Sequence, residues 1–229
     1  MTTKDTAWQA AERAIRAAGD RALLVTPDRR DMVANLAAAL RDRPVAGVQD
    51  VLPAAETVLL TLHSSRDGEA VRRVVTTLLA ALRDEHLDSV SRGTLPDNSS
   101  PTDPVLIPVR YDGDDLDEVA RLLELSVAEV IAAHTGTVWR CAFVGFAPGF
   151  GYLESPDGRL TVPRRAQART VIPAGAVALA GGYSAVYPRS TPGGWQLIGT
   201  TGQRMWNVER DPPALIRVGD TVRFVEAAG

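Results

Sequence analysis

Between Gly145 and Arg165 the chain gathers groups able to hold and polarise a small molecule. The run from Gly145 to Leu153 reads Gly-Phe-Ala-Pro-Gly-Phe-Gly-Tyr-Leu, and Val162-Pro163-Arg164-Arg165 follows it. Glycine opens backbone conformations closed to other residues and proline fixes φ, so Gly145, Pro148, Gly149 and Gly151 together prescribe one loop shape. Phe146, Phe150 and Tyr152 place three rings there, in a chain with four phenylalanines and four tyrosines in all. An arginine supplies a fork of donors in fixed geometry, suited to a carboxylate or carbamoyl group. Tyr183 and Tyr187, four residues apart around a turn, are placed to wall the same pocket. The competing reading is a tight corner of β-structure in which these residues only turn the chain.

Other chemistries fare less well. The chain has three histidines, His63, His86 and His134. The first two read as structural or solvated. His134 falls in the last turn of a predicted helix, where a histidine is either a partner for the helix dipole or a group for acid–base work and carbonyl orientation. Cys141 is the only cysteine. That excludes an intrachain disulfide and zinc held by cysteine pairs, and its place in a predicted strand suits a buried, inert thiol. Neither a Gly-x-Ser-x-Gly elbow nor a His-Glu-x-x-His pair occurs. Ser184, Ser190 and Thr191 lie in glycine- and proline-rich turns and read as turn formers. The acids from Asp112 to Glu118 lack the spacing of a calcium loop and read as partners of a helix N-terminus. No metal site is expected. Lys4 is the only lysine, so a phosphate-loop lysine, a Schiff base and a biotin attachment are all ruled out of the body of the chain.

The elements that must position these groups fall into two textures. The first half alternates strands and helices. A short helix is expected within residues 1–18, with Trp8, Ala11 and Ile15 on one face. A strand over 21–26, a helix over 28–41 and strands over 45–52 and 57–62 follow. A helix over 67–84 then carries Val71, Val74, Val75, Leu78, Leu79 and Leu82 as one apolar stripe. With a strand at 105–110 this order completes a ferredoxin-like split βαβ unit. The stretch 90–104, rich in Ser, Asp, Asn and Pro, is the expected linker, giving an N-terminal α/β domain over 1–103 and a second domain over 104–229. Ser126 and Glu129 form a capping box before a helix that ends near His134, with Gly136 as its stop. From Val138 onward, short apolar runs at 139–144, 170–172, 177–180, 195–199 and 221–225 alternate with Gly and Pro, the pattern of a sandwich or barrel. The fold class is α+β.

Four segments recur in one order: Gly145–Leu153, then Val162-Pro163-Arg164-Arg165, then Gly181-Gly182-Tyr183 through Tyr187-Pro188, then Ser190-Thr191-Pro192-Gly193-Gly194-Trp195-Gln196-Leu197-Ile198-Gly199. In this the chain resembles the allophanate hydrolase subunit 1 family, whose members are also called 5-oxoprolinase B subunits and which includes Kip-type inhibitors of a sporulation histidine kinase. The resemblance runs from about Gly19 to Val225. It implies a cyclophilin-like β-barrel for the second domain. It also implies the B subunit of a bacterial ATP-dependent 5-oxoprolinase, which opens the lactam of 5-oxoproline (pyroglutamate) to glutamate. The implied partners are the A subunit of 5-oxoprolinase and a C subunit that resembles allophanate hydrolase subunit 2. On this resemblance His134 and Arg164 are the expected catalytic groups, Arg164 being the inward member of its pair. Gly145, Phe146, Pro148, Gly149, Phe150, Tyr152, Tyr183 and Tyr187 form the expected substrate site, with backbone amides around Gly149 and Gly151 as further donors. ATP is expected on the complex rather than on this chain alone, which is expected to be inactive by itself and to carry neither metal nor biotin. Two alternatives remain at this point: inhibition of a histidine kinase, and a carboxyltransferase role like that of related domains in urea carboxylase. Two segments depart from the family pattern. Gly199-Thr200-Thr201-Gly202 replaces Gly-Arg-Thr-Pro, and Glu154-Ser155-Pro156-Asp157 replaces a glycine-rich stretch.

Composition bounds the rest. The 229 residues are 45% hydrophobic with a net charge of −3, enough for packed cores and without the basic footprint of a nucleic-acid binder. No signal-peptide core and no apolar run near the ~20 residues of a membrane span occur. A cytoplasmic protein is expected.

Overall fold

The computed structural model describes residues 3–92, 103–155 and 157–227. Two compact units divide the chain, residues 1–100 and 101–229. Residues 93–102, most of the expected linker, lie outside the described residues.

The first unit runs α1 (Thr3–Arg13), β1 (Ile15–Ala17), β2 (Ala22–Val25), α2 (Arg30–Asp42), β3 (Val48–Pro53), β4 (Val58–Leu62) and α3 (Gly68–Arg92). Its four strands form an antiparallel sheet in the order β1-β2-β4-β3. Helical spacing brings Met32, Val33, Leu36 and Leu40 of α2 and Val71, Val75 and Leu79 of α3 into one core with Leu23, Val25, Val58, Leu60 and Leu62. Val74, expected on that stripe, is exposed. The strand expected at 105–110 does not join this sheet. Beside β2 stands β1, which begins at Ile15, a residue expected on a helix face. A three-residue strand leaves too short a pattern to register as alternation in the sequence.

The second unit contains β5 (Val105–Val109), α4 (Leu116–Leu123), α5 (Val127–Gly136), β6 (Trp139–Val144), β7 (Gly151–Glu154), β8 (Arg169–Ile172), β9 (Ala176–Ala180), β10 (Tyr183–Val186), β11 (Thr191–Gly193), β12 (Gln196–Thr200) and β13 (Thr221–Glu226). Among the described residues seven of these strands form one sheet, ordered β12-β9-β10-β7-β6-β13-β5. Its first strand, β5, runs parallel to its last, β13, with Val105 opposite Val222. Ile107 and Val109 are thereby buried with Phe224. The sheet nearly closes on itself. At the seam the amide of Arg110 donates to the Thr200 carbonyl (2.8 Å) and that of Thr200 to the Arg110 carbonyl (2.7 Å). Glycine is required there, because a Cβ on Gly199 would lie 2.4 Å from the Arg110 carbonyl oxygen. This barrel-like sheet is consistent with the expected cyclophilin-like barrel.

The two faces of the barrel wall differ. Val177, Leu179, Val186, Leu153 and Cys141 point into the central core, which α4 and α5 also cover. On the opposite face Ala176, Ala178, Ala180 and Ala185 leave room for a second layer, in which Ile172 of the β8–β11 pair and Trp195 pack with Phe150 and Tyr187. The capping box of α5 is present, with the Glu129 amide donating to Ser126 Oγ and the Ser126 amide to the Glu129 carboxylate. Its end differs from expectation: Gly136 is the last helical residue and extended Thr137 is the cap. No helix among the described residues is long and apolar enough to cross a membrane.

Candidate functional site

The glycine–proline loop leaves β6 at Val144 and returns as β7 at Gly151. It is a tight turn, with the Ala147 amide donating to the Gly145 carbonyl (2.7 Å) and the Phe150 amide to the Ala147 carbonyl (2.9 Å). Gly149 has φ +85°, and a Cβ there would stand 3.0 Å from both the Met205 carbonyl oxygen and Trp206 Cβ, so this residue must be glycine on two counts. Phe146 also adopts a left-handed backbone, φ +66°. A non-glycine residue holds that conformation only where its surroundings enforce it, and such positions concentrate at functional sites. The turn throws the Phe146 ring outward, 57% exposed.

Two features meet at Phe146. On one side is an open apolar groove of about 400 Å3, walled by Val144 to Gly149 together with Trp206, Ala214 and Ile216. Trp206 was not expected here. Arg210 fixes the loop that carries it by donating to the carbonyls of Met205 and Pro213. On the other side is a network of rings. Phe146 meets Phe150 edge-on at 5.1 Å, Phe150 meets Tyr187 at 5.3 Å and Tyr152 at 5.0 Å, and Tyr152 meets Tyr183 at 5.9 Å. Such tilted contacts are the favoured geometry of aromatic pairs. Phe150 and Tyr187 are buried, and Tyr152 and Tyr183 are half-buried. Burial raises the pKa of the Tyr152 phenol, and the charge of Arg164 opposes that rise. Tyr187 is likewise raised by burial, against a hydrogen bond with the Trp195 backbone and the charges of Arg164 and Arg169. Both phenols stay neutral at physiological pH.

The arginine pair divides, though not as expected. Arg165, not Arg164, turns inward to Asp115. Arg164 is exposed, its charge lowers the pKa of the Tyr152 and Tyr187 phenols against their burial, and among the described residues its guanidinium forms no hydrogen bond or ion pair. It is free to take an anion. Asp115 is only 3% exposed. It accepts hydrogen bonds from Arg165, from Arg169 at 2.7 and 2.9 Å, and from the Leu197 amide at 2.7 Å. Burial disfavours its charge. The bonds from Arg169 and Leu197 and the two guanidinium charges outweigh that cost, so its pKa lies below the ordinary value. In the sequence Asp115 is one acid of a run that reads as opposing a helix dipole. It does precede α4, but its side chain makes no cap hydrogen bond.

His134 lies apart from these groups. It is fully buried, with Nδ1 2.7 Å from the Tyr111 hydroxyl and Nε2 2.9 Å from Ser184 Oγ, and its ring stacks on Phe224 at 4.2 Å. Burial pushes its pKa down to about 3, so the ring is neutral. Ser184 and Tyr183 are adjacent on β10 and point to opposite faces. His134 therefore sits on the core side of the wall and the aromatic network on the other. The structure thus brings together Gly145, Phe146, Pro148, Gly149, Phe150, Tyr152, Tyr183, Tyr187 and Arg164, and separates His134 from them. Among the described residues no cluster of three His, Cys, Asp or Glu side chains is disposed to hold a metal.

The departures from the family pattern are accommodated locally. Thr200 Oγ1 donates to Asp112 at the barrel seam (2.8 Å), and Asp157 accepts from Ser155 and Arg159.

The chain is similar to several known proteins. The description "Carboxyltransferase domain, subdomain C and D" matches residues 13–216. The 5-oxoprolinase B subunit of Bacillus subtilis (strain 168) is 37% identical over 203 residues, covering 82% of this chain and 80% of that protein. The 5-oxoprolinase B subunit of Escherichia coli O157:H7 is 47% identical over 122 residues, 52% of this chain and 56% of that one. A crystal structure of TTHA0988 superposes with a TM-score of 0.69 at 36% identity over 91% of this chain. The match spans only 41% of the length of that solved protein.

Proposed function

The chain belongs to the family of the carboxyltransferase domain, subdomains C and D, and we propose that it acts there as the B subunit of an ATP-dependent 5-oxoprolinase. The observation that carries the proposal is the 37% identity to a 5-oxoprolinase B subunit across four fifths of that protein. The reaction opens the lactam of 5-oxoproline to glutamate. An unstrained amide resists water, and transfer of a phosphoryl group to the amide oxygen would make the ring carbon electrophilic. Water adds to that carbon and the C=N electron pair passes to the ring nitrogen. Cleavage of the C–N bond, with a proton to nitrogen, leaves an acyl phosphate that a second water hydrolyses to carboxylate and phosphate. A positioned guanidinium stabilises the charge on the phosphate oxygens. Arg164 is the group we assign to that task, or to the substrate carboxylate beside it. Its lack of a partner among the described residues, its place at the aromatic network and the neutrality of Tyr152 support the assignment. Phe146, Tyr152 and Tyr183 supply an apolar wall for the ring, and Gly145, Pro148 and Gly149 hold Phe146 in place. His134, buried and neutral, we assign to holding the barrel core.

ATP is handled by the partners in this reading. Lys4 is the only lysine, and no phosphate-binding glycine loop is present in the sequence. The partners are the A subunit and a C subunit resembling allophanate hydrolase subunit 2, and the isolated chain has no turnover. The test is reconstitution. The complex purified from co-expression with its genomic neighbours should release glutamate from 5-oxoproline only with ATP and only when this chain is present. Arg164→Ala should lower turnover about 100-fold, the scale of losing one donor to a developing oxyanion. A well-formed complex without turnover, or robust turnover by this chain alone, overturns the proposal.

A further inference from the structure

We infer that Asp115 and Arg165 are positioning residues that fix Arg164 in the site. This rests on the reading of Arg164 as the group that meets the substrate. Three anchors hold the short segment from Pro163 to Arg165. Gln196 Nε2 donates to the Pro163 carbonyl (3.2 Å), the Arg165 amide donates to the Gly194 carbonyl (2.8 Å), and the Arg165 guanidinium reaches Asp115. Asp115 is itself anchored: its own amide donates to the Leu197 carbonyl (2.9 Å) while its carboxylate accepts from the Leu197 amide and both terminal nitrogens of the Arg169 fork. With its neighbours tied on both sides, the Arg164 backbone is held in place, and its charge is felt at Tyr152 and Tyr187.

Arg169 and the Leu197 amide already satisfy the Asp115 carboxylate, so Asp115 does not need a second arginine for its own sake. Drawing Arg165 inward also has a cost, since its Nε is buried without a partner. What the contact achieves is the placement of the preceding residue. Asp115, and Asp114 at 3.6 Å from Arg169, balance Arg165 and Arg169, so the exposed Arg164 is the positive charge offered to an anionic ligand group such as a carboxylate or a phosphorylated amide oxygen.

The chain has four tyrosines, so selective tyrosine 13Cζ labelling reads the site directly in the full-length protein. Arg165→Ala should shift the Tyr152 resonance in the same direction as Arg164→Ala, and the double variant should shift it no further than Arg164→Ala alone. Tyr111, bonded to His134 in the barrel core, should stay in place. A Tyr152 resonance that ignores Arg165→Ala while Tyr111 is unmoved overturns the inference. If Tyr111 moves as well, Arg165→Gln, a smaller change at the same point, is read by the same rule. In the reconstituted complex Arg165→Ala should lower kcat about tenfold, and less than twofold once Arg164 is already Ala, the non-additivity of residues acting as a unit. Loss of turnover in Arg164→Ala but not in Arg165→Ala would sink the positioning role alone. Full turnover in Arg164→Ala would sink the reading of the site beneath it.

Discussion

His134 and Arg164 show how differently two side chains of the same expected role can be used. His134 is held neutral by burial, with a folded pKa of about 3 against about 6.5 in the unfolded chain. Between these values the unfolded state binds the extra proton, so stability is complete above about pH 6.5 and is lost as pH falls toward 3. The expected loss between pH 7 and pH 4 is about 3 kcal/mol from this group. Urea unfolding at the two pH values measures it. His134→Gln, able to keep contacts to Tyr111 and Ser184, should be less stable at pH 7 but should flatten this slope. Much of the candidate site was legible at this scale because its residue types are unusual: the glycines and proline of 145–151, their rings, and the arginine pair. Asp115 was not. Nothing in a run of acids marks which one turns inward, and its arginine partners stand 50 and 54 residues away in sequence. Neighbours in an extended segment point opposite ways, which parts Arg164 from Arg165 but does not tell which of them meets Asp115.

At the scale of elements, the sequence reads best where local chemistry decides. The capping box of α5 and the apolar spacing of α2 and α3 are short-range signals and appear in the structure. Strands β7, β10 and β11 went unread. They are three or four residues long and broken from their neighbours by turns. Strand β9 is buried on both faces, so it shows a continuous apolar run rather than alternation. The placement of β5 failed for another reason: its pattern is that of a strand, but the choice of sheet is made by β13, far along the chain. The seam beside it is an exacting join in the barrel. Gly199→Ala would push a methyl group against the Arg110 carbonyl, and Gly113→Ala would press on the Leu197 carbonyl, each at 2.4 Å. Each variant should destabilise the barrel by about 2 kcal/mol or more, the range of overpacking a tight site. Gly202→Ala, with open space around it, should change stability by less than about 0.5 kcal/mol. Thermal unfolding of the three proteins gives the comparison.

Over the whole molecule, each unit closes its own core. Residues from Ala11 to Leu79 make one, and those from Ile107 to Phe224 make the other. The second unit therefore should fold by itself if it begins before β5. A protein of residues 101–229 should unfold cooperatively and hold Cys141 unreactive to thiol reagents. One of residues 111–229 lacks β5 and the Arg110 half of the seam, and should expose Cys141. Equal protection in both would contradict the role given to β5.

The pairing of β5 with β13 also sets an order of events as the polypeptide is made. The first unit builds its sheet from strands that follow one another closely, and everything it needs has been translated once α3 is complete. The second unit opens with a strand whose neighbour is synthesised far later, and closing loops of that length is slow. Until Thr221–Glu226 have been made, β5 has no paired strand and Ile107 and Val109 lack the Phe224 wall. The loop that carries Phe146 is translated before Trp206, Ala214 and Ile216, which wall its groove, so the newborn chain displays its rings before it has a site to put them in.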